Sequence, residues 1–250
     1  MSVAGVQQNA VMVDRRDRDG LRAAVYGADV AVLVDALNGD LWPENALQLM
    51  GEAVLVAARA RAAGIASSSR RCASGLRDRG WEGDRELAGQ VDAVLGFGPA
   101  SVLRPLRVNL EDLAGVREGD PLAGGGWIEL QTGEGWPQAV LEYAEQVGEL
   151  DPDQVDDRRW LEVVCEGSRA AYRDVEMFVD FLEDVRVADR LARAIRGRGA
   201  FRRFKVALTA SPGLLGRWYG FSDDRQRGRA RAWLAAEGYS ATPPTTAPEP

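Results

Sequence analysis

Histidine is absent from the 250-residue sequence, and cysteine occurs only twice. Nucleophile systems of the Ser-His-Asp and Cys-His kinds need an imidazole base, so neither can be assembled within this chain. The two cysteines, Cys72 and Cys165, are too few for a four-cysteine zinc site or a typical iron–sulfur cluster. We therefore expect no metal centre, no bound cofactor and two free thiols in a reducing compartment.

Long apolar runs are also missing. The most apolar stretch near the start, Val30 to Val34, lies between Asp29 and Asp35 and is far shorter than the ~18 residues that span a bilayer. Residues 1–13 contain no basic residue ahead of an apolar stretch, so no secretory signal is predicted. With 46% hydrophobic and 28% charged residues, the chain has the composition of a soluble globular protein. We expect it to be cytoplasmic and to make no membrane contact.

Lysine occurs once, at Lys205, so nearly all the positive charge is arginine. With abundant alanine and glycine, this bias is typical of GC-rich bacterial genomes of the actinobacterial type, and is not by itself a sign of phosphate binding. The distribution of charge says more. Residues 104–185 hold 20 acidic and 7 basic residues, whereas residues 186–250 hold 5 acidic and 13 basic residues. This asymmetry indicates either a basic surface for an anionic partner or acidic and basic parts that face each other within one fold.

The first hundred residues have the apolar periodicity of helices. One helix is predicted from Gly20 to Leu37, and the next has an apolar stripe at Leu47, Met50, Val54 and Ala58. Ser67-Ser68-Ser69 is predicted to be a loop or cap. The glycines of residues 96–101 resemble a phosphate-binding loop, but the preceding segment is helical and Pro99 lacks an amide, so a linker is predicted. We therefore expect a helical extension over residues 1–100.

The middle of the chain contains the strand signals. Apolar and polar side chains alternate over 127–131, Thr132-Gly133-Glu134-Gly135 is a turn, and Trp136 begins a returning strand. Another strand is predicted over 160–165. A small antiparallel sheet near 127–137 and 160–165 is therefore expected, packed against helices from residue 168 onward.

The carboxylates of this acidic part have several interpretations. Asp151 to Glu162 has the length of a calcium-binding loop, but Val155 and Asp156 stand where a ligand and a glycine are needed. A solvated acidic loop is therefore predicted, with weak Mg²⁺ binding as the alternative. Four carboxylates lie nearest the predicted strands: Glu129, Glu134, Glu162 and Glu166. They are expected to face solvent, and an acid–base pair among them is the alternative.

The last third is predicted to be helical and to end in a tail. A final helix is expected to begin at Ser222 and to end at Gly238. Its four arginines wrap around the helix and are expected to be solvated: Arg225, Arg227, Arg229 and Arg231. Four aromatic residues are expected in the core because they recur at helical spacing: Trp218, Tyr219, Phe221 and Trp233. A disordered tail rich in proline and threonine is predicted over 241–250.

Two motifs of this region occur in order. The first is Gly197-Arg198-Gly199-Ala200-Phe201-Arg202-Arg203-Phe204-Lys205, and the second is Trp218-Tyr219 with Phe221, Asp223 and Arg225, closing with Trp233-Leu234. Together with segments 127–134 and 172–178, they resemble a bacterial family without an assigned activity, uncharacterised protein family 0158. The resemblance covers about residues 105–240, while residues 1–100 resemble an extension seen in actinobacterial relatives. It implies a fold and a lineage but no reaction, and Val206 departs from the pattern because many members have Asp there.

The first motif supplies the candidates for binding: Arg198, Arg202, Arg203 and Lys205. The glycines on both sides of Arg198 allow a sharp bend, and a cluster of arginines can hold a phosphate bidentately. Internal pairing with the acidic middle of the chain is the alternative. Phe201 and Phe204 are the aromatic residues of the same motif.

The predicted fold class is α+β and mostly helical, with a recognised domain over 105–240 after the extension. The preferred function is a non-enzymatic binding module whose basic C-terminal third binds an anionic partner, such as RNA, DNA or an acidic protein. The first alternative is an adaptor or regulatory protein that meets a protein partner through apolar surfaces. The second is a hydrolase or transferase acting through carboxylates and arginine, perhaps with Mg²⁺, in a pocket that gathers Glu129 or Glu162 with Arg202 or Arg203.

Overall fold

The computed structural model describes residues 16–118, 124–147, 158–211 and 213–244. Within these ranges the chain is mostly helical with two small sheets, so the predicted α+β class is confirmed. The helices are α1 (16–27), α2 (Val30–Asn38), α3 (Leu47–Arg59), α4 (Ala66–Arg79), α5 (Asp84–Val94), α6 (Leu110–Arg117), α7 (Gln138–Gln146), α8 (Ser168–Asp180), α9 (Val185–Ala194), α10 (Ala200–Thr209) and α11 (Leu214–Ala236). The strands are β1 (Arg104–Arg107), β2 (Gly126–Glu129), β3 (Gly135–Pro137), β4 (Trp160–Val163) and β5 (Tyr239–Thr242).

Helices α1 to α5 follow the predicted helical pattern with two corrections. The helix predicted from Gly20 to Leu37 is broken at Ala28, where φ is +50°, and Asp29 caps α2 by accepting a hydrogen bond from the Val32 amide. The serines predicted as a loop lie inside α4 instead. The Ser69 hydroxyl donates to the Ile65 carbonyl four residues earlier at 2.7 Å, which lets a serine stand within a helix.

Strands β3, β2 and β4 form the predicted antiparallel sheet, in that order. Trp127 of β2 lies opposite Trp136 in β3 and opposite Glu162 in β4. A second sheet was not predicted: β1 and β5 pair in parallel, with Arg104 opposite Tyr239. No turn joins two parallel strands that are so far apart in sequence, so no local signal marks this pair.

The end of the chain differs from the prediction in two respects. Helix α11 runs without a break from Leu214 to Ala236, so the predicted start at Ser222 is wrong and Ser222 lies inside the helix. Strand β5 includes residues 241 and 242, which the prediction places in the tail. Ala241 is buried in the core that surrounds the sheets. Residues 245–250 of that tail, and residues 151–157 of the acidic loop, lie outside the described ranges.

Three hydrophobic cores meet helix α11. The first lies among α1 to α5, the second lies between the two sheets and α6, and the third lies among α8, α9 and α10. Helix α11 adds Ala230 and Leu234 to the second core and Leu214 and Phe221 to the third. It also packs against α3 and α5 of the first. The boundary near residue 100 stays a prediction, but α11 connects the segments on its two sides.

Two further features bear on the compartment and chemistry of the chain. None of the helices in the described part combines the length and the apolar character needed to cross a bilayer. Cys72 is buried, Cys165 is partly buried, and both are free thiols as predicted. Burial raises the pKa of the Cys72 thiol to about 12, with the carboxylate of Asp224 acting in the same direction. Cys72 is therefore a core residue rather than a nucleophile.

Candidate functional site

The arginines of the last third fall into two groups with opposite environments. Four of the five arginines of helix α11 are buried, so the prediction that they are solvated is wrong: Arg225, Arg227, Arg229 and Arg231. They do wrap around the helix as their spacing indicates. Because α11 is surrounded by other elements, these guanidinium groups meet carboxylates of neighbouring elements instead of water.

Arg227 and Arg231 share the buried carboxylate of Glu52 on α3. Arg227 Nη1 and Arg231 Nη2 each lie 3.2 Å from an oxygen of Glu52. Arg227 also pairs with Glu111 of α6 at 2.8 Å and with Asp223 at 3.2 Å, and its side chain is 0% exposed. Burial lowers the pKa of Arg227. The carboxylates of Glu52 and Asp223 outweigh this effect and hold that pKa above its ordinary value. The guanidinium of Arg227 thus joins three elements of the fold.

Arg225 and Arg229 share a second buried carboxylate, Asp174 of α8. Arg225 Nε lies 3.0 Å from Asp174 Oδ1, and Arg229 Nη1 pairs with the other oxygen. Arg229 also pairs with Glu166 at 2.6 Å, and Glu166 in turn pairs with Arg117 at 2.6 Å. Burial raises the pKa of Glu166, but these two arginines hold it below the ordinary value.

A third buried set lies where α4, α5 and α11 meet. Arg79 donates two hydrogen bonds to Asp84, at 2.7 and 2.9 Å, and it also pairs with Asp224. Asp224 accepts a 2.8 Å hydrogen bond from the Gln48 amide. Burial raises the pKa of Asp224 to about 6, although Arg79 acts against this shift. The buried arginines of α11 are thus occupied by internal partners and are not free for an external anion.

The second group of basic residues lies on a helical hairpin formed by α9 and α10, residues 185–209, called here the α9–α10 hairpin. It contains eight basic residues and one acidic residue. All eight basic residues are exposed: Arg186, Arg190, Arg193, Arg196, Arg198, Arg202, Arg203 and Lys205. Within the described ranges, no ion pair holds any of them. Arg190 donates only to the Ser211 hydroxyl.

Arg203 differs from the other predicted candidates because it stabilises the turn of the hairpin. Gly197 and Gly199 have φ of +76° and +74°, which reverses the chain between the helices. The Arg203 guanidinium donates to the carbonyls of Ala194 at 3.0 Å and Arg196 at 2.6 Å, and also to that of Arg198. Those carbonyls have no helical partner at the C-terminal end of α9. Arg203 is therefore a capping residue.

Helix α10 has an inner and an outer face. Phe204 and Leu208 pack into the third core, and Phe204 is 1% exposed. Phe201, Arg202 and Lys205 lie on the outer face, and Phe201 is 38% exposed. Lys205 lies near Glu118. Burial raises the pKa of the Glu118 carboxyl, while the positive charges of Arg229 and Lys205 act to lower it. Arg198 and Arg202 make no hydrogen bond or ion pair through their side chains in the part of the chain that the structure describes.

The other aromatic residues of the motifs divide in the same way. Phe221 is buried and Trp218 is partly buried against Phe178 and Phe204, with ring centroids 5.2 and 4.9 Å apart. Trp233 is partly buried beneath Arg117, whose guanidinium carbon lies 4.8 Å from the ring centroid. Tyr219 is 52% exposed, so the prediction that it lies in the core is wrong.

The four carboxylates near the strands lie in different environments. Glu134 and Glu162 face solvent as predicted. Glu129 is buried, which contradicts the prediction, because it pairs with Arg159 at 2.9 Å and accepts a hydrogen bond from the Gln131 amide at 3.1 Å. A cavity of about 340 Å³ beside Glu166 is lined by Arg117, Arg173 and Arg229, and not by Arg202 or Arg203. Within the described ranges, no three acidic or cysteine side chains gather as metal ligands.

Sequence reasoning did not single out the basic residues of α9. Arg186, Arg190 and Arg193 recur at i, i+4 and i+7, so they share one face of the helix, while Leu191 is buried. The spacing and the single acidic residue within α9, Asp189, are visible in the sequence. Only the structure shows that no carboxylate in the described part of the acidic middle forms an ion pair with them.

Residues 160–243, from β4 to β5, match the model of an Uncharacterised protein family (UPF0158). The match includes the α9–α10 hairpin and all of α11. The predicted resemblance is therefore confirmed over this segment, which is shorter than the predicted 105–240. No curated protein and no solved structure matches the chain.

Proposed function

We propose that this chain binds nucleic acid and that the α9–α10 hairpin contacts the phosphate groups. The observation that supports this proposal is the contrast between the two groups of arginines. Those of α11 are paired with carboxylates, whereas the hairpin exposes eight basic residues without an ion pair among the described residues. Arginine and lysine at a surface of this kind bind phosphate by charge-assisted hydrogen bonds.

The net charge of −7 does not oppose this function at the hairpin. The acidic residues that dominate the total lie in the middle third, and several of them are neutralised by α11. Charge acts locally because salt screens exposed charges beyond about 10 Å at moderate ionic strength. The hairpin therefore presents a local positive surface on a protein that is acidic overall.

A nucleic acid fits this surface better than an acidic protein. The basic residues follow one another at short intervals along both helices and the turn between them, at Arg190, Arg193, Arg196, Arg198 and Arg202, so the hairpin offers a series of exposed cations. A polynucleotide carries a charge at every residue and releases counterions from each neutralised phosphate. A tract of cations therefore gains affinity with each phosphate that it neutralises.

The experiment is a salt titration of binding to labelled single-stranded RNA and duplex DNA. The full chain is compared with an Arg198→Gln, Arg202→Gln variant, which removes two exposed charges and leaves the capping residue Arg203 in place. We expect the variant to bind more weakly at low salt and the slope of log K against log salt to fall by about one to two. Unfolding by urea should be unchanged.

The matched control removes the same charge elsewhere. Arg59 and Arg85 are exposed arginines at the end of α3 and the start of α5, outside the hairpin. An Arg59→Gln, Arg85→Gln variant should bind as the unchanged chain does. Equal weakening by the two double variants, or no binding to either nucleic acid at low salt, would contradict the proposal and favour a protein partner.

A further inference from the structure

One aromatic ring lies among the basic residues on the outer face of helix α10. Phe201 is 38% exposed, whereas Phe204, three residues later, is buried. Arg202 is its neighbour, Lys205 follows one helical turn later, and Arg198 precedes it in the turn of the hairpin. Residues three and four apart on a helix lie side by side. Lys205, four residues after Phe201, therefore lies beside the ring on the same face of α10, and Arg198 and Arg202 are close to it in the chain.

The ring of Phe201 packs against helix α8 and is partly exposed. It packs edge-on against Tyr172 of α8, with ring centroids 6.4 Å apart and an angle of 88° between the planes. Tyr172 is itself fixed, because its hydroxyl donates to the Ile195 carbonyl at the end of α9 at 3.0 Å. Phe201 is thus held by the hairpin and by α8 while part of its ring faces solvent.

An exposed ring between cations matches the chemistry of an unpaired nucleotide. Aromatic side chains stack on bases of single strands, while basic residues beside them neutralise the phosphates. A base inside a duplex is stacked on both faces and offers no face to a side chain at the surface. A ring on an exposed helix face would therefore add affinity for a single strand and none for a duplex.

From this geometry, we infer that Phe201 is a stacking platform for an unpaired base and that the chain prefers single-stranded to duplex nucleic acid. The inference rests on the proposed function, since Arg198, Arg202 and Lys205 would hold the phosphates on each side of the stacked base. Stacking on Phe201 does not involve the sugar, so RNA and DNA single strands should both bind.

The test compares three variants of the full chain. Phe201→Leu keeps an apolar contact with Tyr172 but removes the ring, and Phe201→Trp keeps a stacking ring. Phe97→Leu is the matched control, because Phe97 is an exposed ring on another part of the surface with the guanidinium of Arg70 4.8 Å from its centroid. Binding to fluorescent oligouridylate, oligothymidylate and a duplex of equal length is measured by anisotropy at low salt, after equal urea unfolding is established.

We expect the unchanged chain to bind both single strands more tightly than the duplex. Phe201→Leu should weaken single-strand binding about tenfold and leave duplex binding unchanged, while Phe201→Trp and Phe97→Leu bind as the unchanged chain does. Equal affinity for strand and duplex, or an unchanged affinity in Phe201→Leu, would overturn the inference. The proposed function would then still stand on the loss seen with Arg198→Gln, Arg202→Gln. If no oligonucleotide binds, the proposed function fails as well.

Discussion

Gly83 and Gly228 lie backbone against backbone: a Cβ atom at Gly83 would be 2.0 Å from the carbonyl oxygen of Gly228, and one at Gly228 would be 2.3 Å from the carbonyl of Glu82. Gly83 precedes α5 with φ of +81°, and Gly228 is in the middle of α11. Two glycines at this crossing let the helices approach closely enough for the buried ion pairs to form.

The first prediction concerns this crossing. Gly228→Ala should lower the free energy of unfolding by about 2 kcal/mol, because backbone atoms cannot yield to a methyl group as a side chain would. Helix propensity alone would favour alanine by about 1 kcal/mol, so a loss must come from the contact. The control is Gly89→Ala on α5, where an added Cβ atom would have no neighbouring atom within 4 Å. Its free energy of unfolding, measured in urea, should rise by about 0.5–1 kcal/mol. A neutral Gly228→Ala would show that the crossing is looser than described.

Arg227 should be the most sensitive of the basic residues. Arg227→Leu leaves Glu52 and Asp223 without this partner in the interior, so unfolding free energy should fall by about 3–5 kcal/mol. Arg202→Leu, which replaces an exposed arginine of the same chain, should change it by less than about 0.5 kcal/mol. Chemical denaturation of both variants measures the contrast. If the free energy of unfolding changes equally little in Arg227→Leu and Arg202→Leu, the buried ion pairs of Arg227 add little to stability.

The buried carboxyl of Asp224 should make stability depend on pH. Its pKa is raised to about 6 in the folded state by burial, so between about pH 4 and 6 the folded chain holds a proton that the unfolded chain has released. The stabilisation from this group is complete below about pH 4 and is lost as pH rises through about 6. The raised pKa corresponds to roughly 3 kcal/mol.

Asp224→Asn removes this titration. The unfolding free energy of the unchanged chain minus that of the variant should fall by up to about 3 kcal/mol from about pH 4 to about pH 7. Glu166→Gln supplies a control of opposite sign, because the pKa of Glu166 is held low and its contribution is lost as the solution becomes acidic. A constant difference for Asp224→Asn would contradict the raised pKa.

Two adjacent arginines should respond differently to the same change. Arg203→Ala removes the cap on the carbonyls of α9 and should cost about 1 kcal/mol of unfolding free energy. Arg202→Ala should leave stability unchanged within about 0.5 kcal/mol and should weaken nucleic-acid binding. Thermal unfolding and the binding assay together separate the two roles. If Arg202→Ala destabilises as much as Arg203→Ala, the outer face of α10 is structural.

Local patterns predict the parts of this fold that depend on local interactions. The alternation over 127–131 predicts β2, and the apolar run at 160–165 predicts β4, because a strand's side chains alternate within the strand itself. The pairing of Arg104 with Tyr239 has no such signal, since each strand has four residues and the partners are distant in sequence. The parallel sheet therefore could not be predicted.

The site shows the same division. The motif at 197–205 identifies the hairpin, and its glycines predict the bend. Whether an arginine points inward depends on acidic residues elsewhere: Glu52 lies 175 positions before Arg227. Spacing alone does not show that Arg227 is buried and Arg202 is exposed. The structure separates them, because only Arg227 meets carboxylates from other helices.

Helix α11 also sets an order of events during synthesis. Gln48 and Glu52 leave the ribosome long before Arg231, which lies 183 and 179 positions later. Until then Glu52 is an acidic group in a helical segment without Arg227 and Arg231, the α11 cations that pair with it. The nascent N-terminal helices therefore cannot reach their final packing until nearly the last helix is made, which favours late, cooperative folding and a need for protection from aggregation on the way.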